Sequence, residues 1–134
     1  MRRREVIVTD MGIFRTAIEV STLSDHVLRK EFENVVVDTG TEYTWIPAES
    51  LADLGVVPVR VDCFETADGR IIERPIGFAM ISVAGRTAPS VVVFGLPGEM
   101  VLLGAHSLEG LNLRVDLVRR ELVPAGPVPV AAAA

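Results

Sequence analysis

Val35-Val36-Val37-Asp38-Thr39-Gly40-Thr41 is the stretch from which the rest of the chain can be oriented. Three consecutive β-branched residues form a short apolar run, the pattern of a strand buried on both faces. The run ends abruptly at Asp38 and Gly40, residue types that satisfy or relax the backbone in tight turns. Alone, the tripeptide Asp-Thr-Gly is weak evidence, since average residue usage places it by chance in roughly a few per cent of chains this long. A strand-ending turn with no further role would also explain it. The following residues narrow the reading. Residues 43–46 resume an extended pattern, Pro47 stops it, residues 48–54 read as a short helix, and Gly55 reads as its C-terminal cap.

Farther out, strand patterns dominate. Residues 57–66 and 71–83 are two long candidates flanking Ala67-Asp68-Gly69-Arg70, and an Asp-Gly pair between extended runs is a strong hairpin signal because Gly accepts positive φ. Residues 88–94 form another candidate strand, followed by the loop Gly95-Leu96-Pro97-Gly98. A second short apolar run, residues 100–103, ends in Gly104 and leads into a brief helix over 105–109. Extended segments at 111–117 and 121–123 close the domain. Upstream, 5–9 and 13–20 read as strands with a turn at Met11-Gly12, whereas 23–32 is polar and fits either a loop or a hairpin tip. The runs 35–37 and 101–103 each end in a glycine-containing loop before a helix, which suggests crossed halves of one small barrel-like sheet. The expectation is one mostly β domain over residues 1–123 and a loosely held Pro/Ala-rich tail over 124–134.

Bulk properties bound the function. A chain of 134 residues is an ordinary single domain. Hydrophobic residues make up 49% and aromatic residues only 5%, so the core must be mainly Val, Leu and Ile. A net charge of −5 argues against nucleic acid or an anionic membrane as partner, and the short cluster Arg2–Arg4 does not change that. One cysteine, Cys63, allows no intrachain disulfide and reads as a small hydrophobe on a strand. No run approaches the roughly 18 apolar residues of a membrane span, and residues 5–10 are too short and interrupted for a signal-peptide core. A cytoplasmic location is the expectation. The high hydropathy suggests apolar surface buried between subunits. His26 and His106 are too isolated for a metal site, and no cofactor is implied.

In order along the chain, the apolar–Asp-Thr-Gly element, the Asp-Gly hairpin and Leu102-Leu103-Gly104 ahead of a helix resemble the retropepsin-like aspartic proteases. The resemblance runs from about Val35 to Val123. It implies a small closed barrel-like lobe with one or two short helices and a β-hairpin flap. It puts the catalytic carboxylate on Asp38, gives Thr39 a hydroxyl that ties two active-site loops across a dimer, and brings the Gly40 backbone close to substrate. Thr41 stands where a hydroxyl can hydrogen-bond the aspartate. Glu42, the flap-tip residues Ala67, Asp68, Gly69 and Arg70, and Leu103 are the implied substrate contacts. Because the chain holds one Asp-Thr-Gly, the implied enzyme is a homodimeric endopeptidase acting on a peptide or protein, with the site on the two-fold axis. A silent dimer of the same fold, used to bind peptides or to assemble, is the alternative. A phosphoryl-transfer aspartate fits worse, because the second Asp such enzymes carry two residues later is Gly40 here.

Overall fold

The computed structural model describes residues 14–25 and 27–131; the strand expected at 5–9, the turn at Met11-Gly12, Arg2–Arg4 and His26 lie outside them. In chain order the elements are β1 (Phe14–Ser21), β2 (Arg29–Asp38), β3 (Thr44–Pro47), α1 (Ala48–Leu54), β4 (Arg60–Glu65), β5 (Ile71–Val83), β6 (Arg86–Gly95), β7 (Leu102–Gly104), α2 (Ala105–Leu111), β8 (Leu113–Asp116) and β9 (Glu121–Pro124). Seven strands make one sheet in the order β1-β2-β7-β3-β6-β5-β4, and β1 also pairs with β5 through Glu19↔Ser82 to Ser21↔Met80. That last pairing closes six strands into a barrel-like core and leaves β4 on a projecting hairpin edge. The fold is mostly β with two short helices, as the sequence indicates.

The inward-facing residues are those whose alternation predicts it: Ile18 and Val20 on β1, Val35 and Val37 on β2, Ile46 on β3, Ile81 and Val83 on β5, Val92 and Phe94 on β6. One irregularity sets the parity of the central strand. Thr16 pairs with Val35 but Ile18 pairs with Phe32, so β2 carries an extra residue there, and Asn34 adopts a positive φ of 57°. This β-bulge shifts the inward series from Phe32 to Val35 and Val37. It also leaves Val36 and Asp38 on the opposite face. Helix α1 forms where expected, its Gly55 cap at φ 84° donating to Ala52 O.

Three segments differ from the sequence reading, each for a local reason. The polar stretch 29–32 is not loop but the outer end of β2. The strand expected from 57 begins only at Arg60, because Pro58 has no N–H to extend the ladder and Val59 alone bonds to Ile76. Residues 71–83 and 88–94 belong to a single tight hairpin, with Val83 opposite Arg86 across Ala84 (φ 52°) and Gly85 (φ 80°). An alanine in the left-handed region gives no turn signal in the sequence. At the C-terminal side, Ala125 N–H donates to Asn112 O and Asn112 Nδ2 donates to Gly126 O, which ties the start of the proline-rich segment to the end of α2.

The strands β2 and β7 run parallel, with Val36↔Leu102, Val37↔Leu103 and Asp38↔Gly104 in register. Among the described glycines, Gly104 lies closest to other backbone. A Cβ built there would sit 2.5 Å from Tyr43 O and 2.6 Å from Tyr43 C. Gly110, on α2, has nothing nearer than 3.7 Å. Gly104→Ala should therefore destabilise the protein by about 2 kcal/mol or more, whereas Gly110→Ala should stabilise it by about 0.5 kcal/mol through helix propensity. Urea midpoints of the two variants check this; a neutral Gly104→Ala would show that the 41–43 loop yields easily.

Candidate active site

Asp38 is the last residue of β2 and half-buried. The chain turns directly after it, Thr41 N–H donating back to Asp38 O at 3.2 Å. Two donors from that turn hold the carboxylate: Gly40 N–H on Oδ1 and the Thr41 hydroxyl on Oδ2, both at 2.9 Å. One donor sits on each oxygen, so the carboxylate plane is set by the loop rather than by chance rotamer choice. A Cβ at Gly40 would lie 3.3 Å from Asp38 Oδ1, a tight contact that a side chain there would make with the carboxylate. Thr39 is exposed and its hydroxyl has no partner among the described residues.

The loop is fixed from behind by α2. Its first two free N–H groups, Ala105 and His106, donate to Thr41 O at 2.8 Å and Glu42 O at 2.9 Å. Gly104 N–H donates to Thr44 Oγ1 at 3.0 Å, the Thr44 and Ser107 hydroxyls share a hydrogen bond of 2.5 Å, and Ser107 bonds Ser90 in turn. All three hydroxyls are buried. In the core such groups must be paired, since a lone buried hydroxyl costs about 1–3 kcal/mol. The chain of bonds therefore ties β3, β6, β7 and α2 together beneath the Asp38 loop.

Outward from Gly40 and Thr41 a groove of about 560 Å³ opens. Strand alternation buries Thr44 and Ile46 and turns Trp45 into the groove wall, where it meets Phe64 edge-on with ring centroids 5.3 Å apart. Tyr43 adds a second edge contact to Phe64 at 6.2 Å. Met100 and Leu102 line the same space, facing the β4–β5 hairpin, which contributes Ala67 and Ile72. Sequence reasoning placed Glu42 and Ala67 here, and both line the groove. Leu103, expected here from the sequence, does not line the groove. Leu103 is fully buried opposite Val37, and its neighbour Leu102, one step along the strand, faces the groove. The register of β7 against the buried Val37 distinguishes them, and alternation within the strand cannot supply that register.

The other three flap residues do not reach the groove lining. Asp68, Gly69 and Arg70 are occupied with one another at the hairpin tip. Thr66 hydroxyl donates to Asp68, Arg70 N–H donates to Thr66 Oγ1 at 3.1 Å, Arg70 Nε donates to Asp68 Oδ2 at 3.1 Å, and Gly69 takes φ 86°. The Thr66 hydroxyl and then the Arg70 guanidinium hold the Asp68 carboxyl below its ordinary range. This tip is a closed clasp.

One pair was invisible in the sequence. Arg74 on β5 grips Glu99 with both arms, Nε to Oε1 at 3.1 Å and NH2 to Oε2 at 2.5 Å, and Leu96 N–H donates to Oε1 at 2.7 Å. The pair joins the hairpin base to the loop that carries Met100, across 25 residues of sequence. Both side chains are largely shielded, at 14% and 27% exposure. Arg74, then the Leu96 N–H, depress the Glu99 carboxyl below its usual 4.5.

No protein-family model matches the chain, and no curated protein matches it. Among solved structures it is similar to the solution structure of simian foamy virus (mac) protease, at 18% identity and a TM-score of 0.49, over 71% of this chain and 91% of that one.

The depressed Glu99 carboxyl has a definite pH signature. A group whose folded-state value is lowered adds stability above its unfolded value and loses it as pH falls through the folded value. Glu99→Gln should thus be less stable than wild type by about 1 kcal/mol at pH 7, and the difference should shrink as pH drops below 4.5. Chemical denaturation of both proteins from pH 7 to pH 3 checks it; a pH-independent difference would assign the loss to packing.

Proposed function

We propose that the chain is an aspartic endopeptidase that works as a symmetric homodimer, with one Asp38 from each copy. The observation that carries this reading is the Asp38 carboxylate held on both oxygens by Gly40 N–H and the Thr41 hydroxyl, at the head of a groove overhung by a β-hairpin. Support also comes from the order of elements, in which the Asp-Thr-Gly strand, the hairpin, Leu102-Leu103-Gly104 and α2 follow one another as the resemblance implies.

The chemistry follows from pairing two such carboxyls. Held about 3 Å apart they cannot both ionise cheaply, so the pair shares one proton. The ionised member takes a proton from a water poised between them, and the water attacks the peptide carbonyl carbon. The protonated member donates to the carbonyl oxygen as the tetrahedral intermediate forms. Collapse of that intermediate breaks the C–N bond while a proton passes to the leaving amine. Gly40 and Thr41 orient each carboxylate so that its remaining lone pairs face the water. Thr39 is exposed beside the aspartate, its hydroxyl without a partner among the described residues; in the dimer it would bond across the two-fold axis. Neither copy alone holds a second Asp-Thr-Gly, so the reaction needs both.

Cleavage of a mixed peptide library between pH 4 and pH 7, at several protein concentrations, tests the reading. Asp38→Asn should abolish cleavage, by at least about 10³-fold if the dyad is the essential acid–base pair, and wild-type activity should fall faster than linearly on dilution. A folded, dimeric wild type that cuts nothing would instead favour a peptide-binding module; activity surviving in Asp38→Asn would sink the assignment of the site.

A further inference from the structure

The groove beside Asp38 has an uneven charge balance. Three carboxylates border it, Glu42, Glu65 and Glu99, and no lysine or arginine does. Arg74 neutralises Glu99 through its two-armed contact. The other guanidiniums on the hairpin have partners of their own: Arg60 bonds Asp62 at 2.9 Å and Arg70 bonds Asp68 at 3.1 Å. Glu42 and Glu65 have no ion-pair partner among the described residues, and both are exposed. They flank an aromatic wall of Tyr43, Trp45 and Phe64, which pack edge-on against one another and line the groove; aromatic rings attract a cation that stacks on them.

Resting on the endopeptidase reading, we infer that the groove selects peptides carrying an arginine or lysine side chain, held against the aromatic wall and between the carboxylates of Glu42 and Glu65. A neutral apolar side chain would fill the same wall but leave both carboxylates without a counter-charge. An acidic one would add a third like charge to a site that already has two. In a dimer the second copy repeats the pair, so the preference applies on both sides of the scissile bond.

The test is a matched set of labelled peptides of one length, in which a single position near the scissile bond is Arg, Gln or Glu. kcat/KM should fall in the order Arg, Gln, Glu, with Arg over Gln by about 5- to 10-fold for two exposed carboxylates acting together. The ratio should collapse toward 1 in the double variant Glu42→Gln/Glu65→Gln and shrink as salt is raised. It should persist in Glu31→Gln, which removes an exposed carboxylate from β2 outside the groove. Equal rates for Arg and Glu peptides would overturn the inference while leaving the peptidase reading intact, and so would a ratio lowered equally by Glu31→Gln. If wild type cuts none of the peptides, the peptidase reading fails separately. Fluorescence polarisation of the same peptides then decides: tighter binding of the Arg peptide sustains the groove preference, and no discrimination overturns it.

Discussion

The close passage of Gly104 beneath the backbone of Tyr43 is the constraint on which the rest of the structure depends. At this point β7 lies parallel to β2, the loop after Asp38 folds back over it, and α2 begins. A side chain at position 104 would occupy the space of the Tyr43 carbonyl group. With hydrogen there instead, the first N–H groups of α2 reach Thr41 O and Glu42 O. These are helix-terminal donors that would otherwise lack partners inside the helix. One close approach thus satisfies the helix start, pins the loop and sets the height of Asp38 above the sheet.

Rigidity beneath the loop comes from polar rather than apolar contacts. Thr44, Ser107 and Ser90 are small hydroxyl residues in an otherwise aliphatic interior, and each finds a partner in the next. A net contribution of about 1 kcal/mol per bond is modest. The larger effect is directional, because hydroxyls demand partners at defined positions whereas Val and Leu tolerate sliding. Together with the bulge at Asn34, which turns Val35 and Val37 inward and Asp38 to the opposite face, the network fixes one carboxylate orientation.

The groove shows a division between charges that build and charges left over. Arg74 and Glu99 are two-thirds or more shielded and joined by two hydrogen bonds, so they act as a brace between the hairpin base and the loop bearing Met100. The clasp of Thr66, Asp68 and Arg70 stiffens the hairpin tip in the same way, though in full solvent, where such pairs contribute little to stability. Glu42 and Glu65 take part in neither. Among the described residues the carboxylates of Glu42 and Glu65 have no counter-charge, so their field acts on whatever enters the groove.

Sequence by itself determined the mostly β class, helix α1 with its glycine cap, the Asp-Gly hairpin, and the tight turn Asp38-Thr39-Gly40-Thr41 at the end of a strand. These are local: apolar periodicity, proline stops and positive-φ glycines act within a few residues of where they are written. The Ala84-Gly85 turn escaped because alanine there adopts a conformation its type does not advertise. Tertiary structure alone decided the rest. Which of Leu102 and Leu103 faces the groove depends on the register against Val37, and the inward parity of β2 depends on a bulge set by pairing with β1. The Arg74–Glu99 brace and the Thr44–Ser107–Ser90 chain join residues 25, 63 and 17 positions apart. Periodicity carries no trace of such contacts, because the chain must close its barrel before those side chains become neighbours.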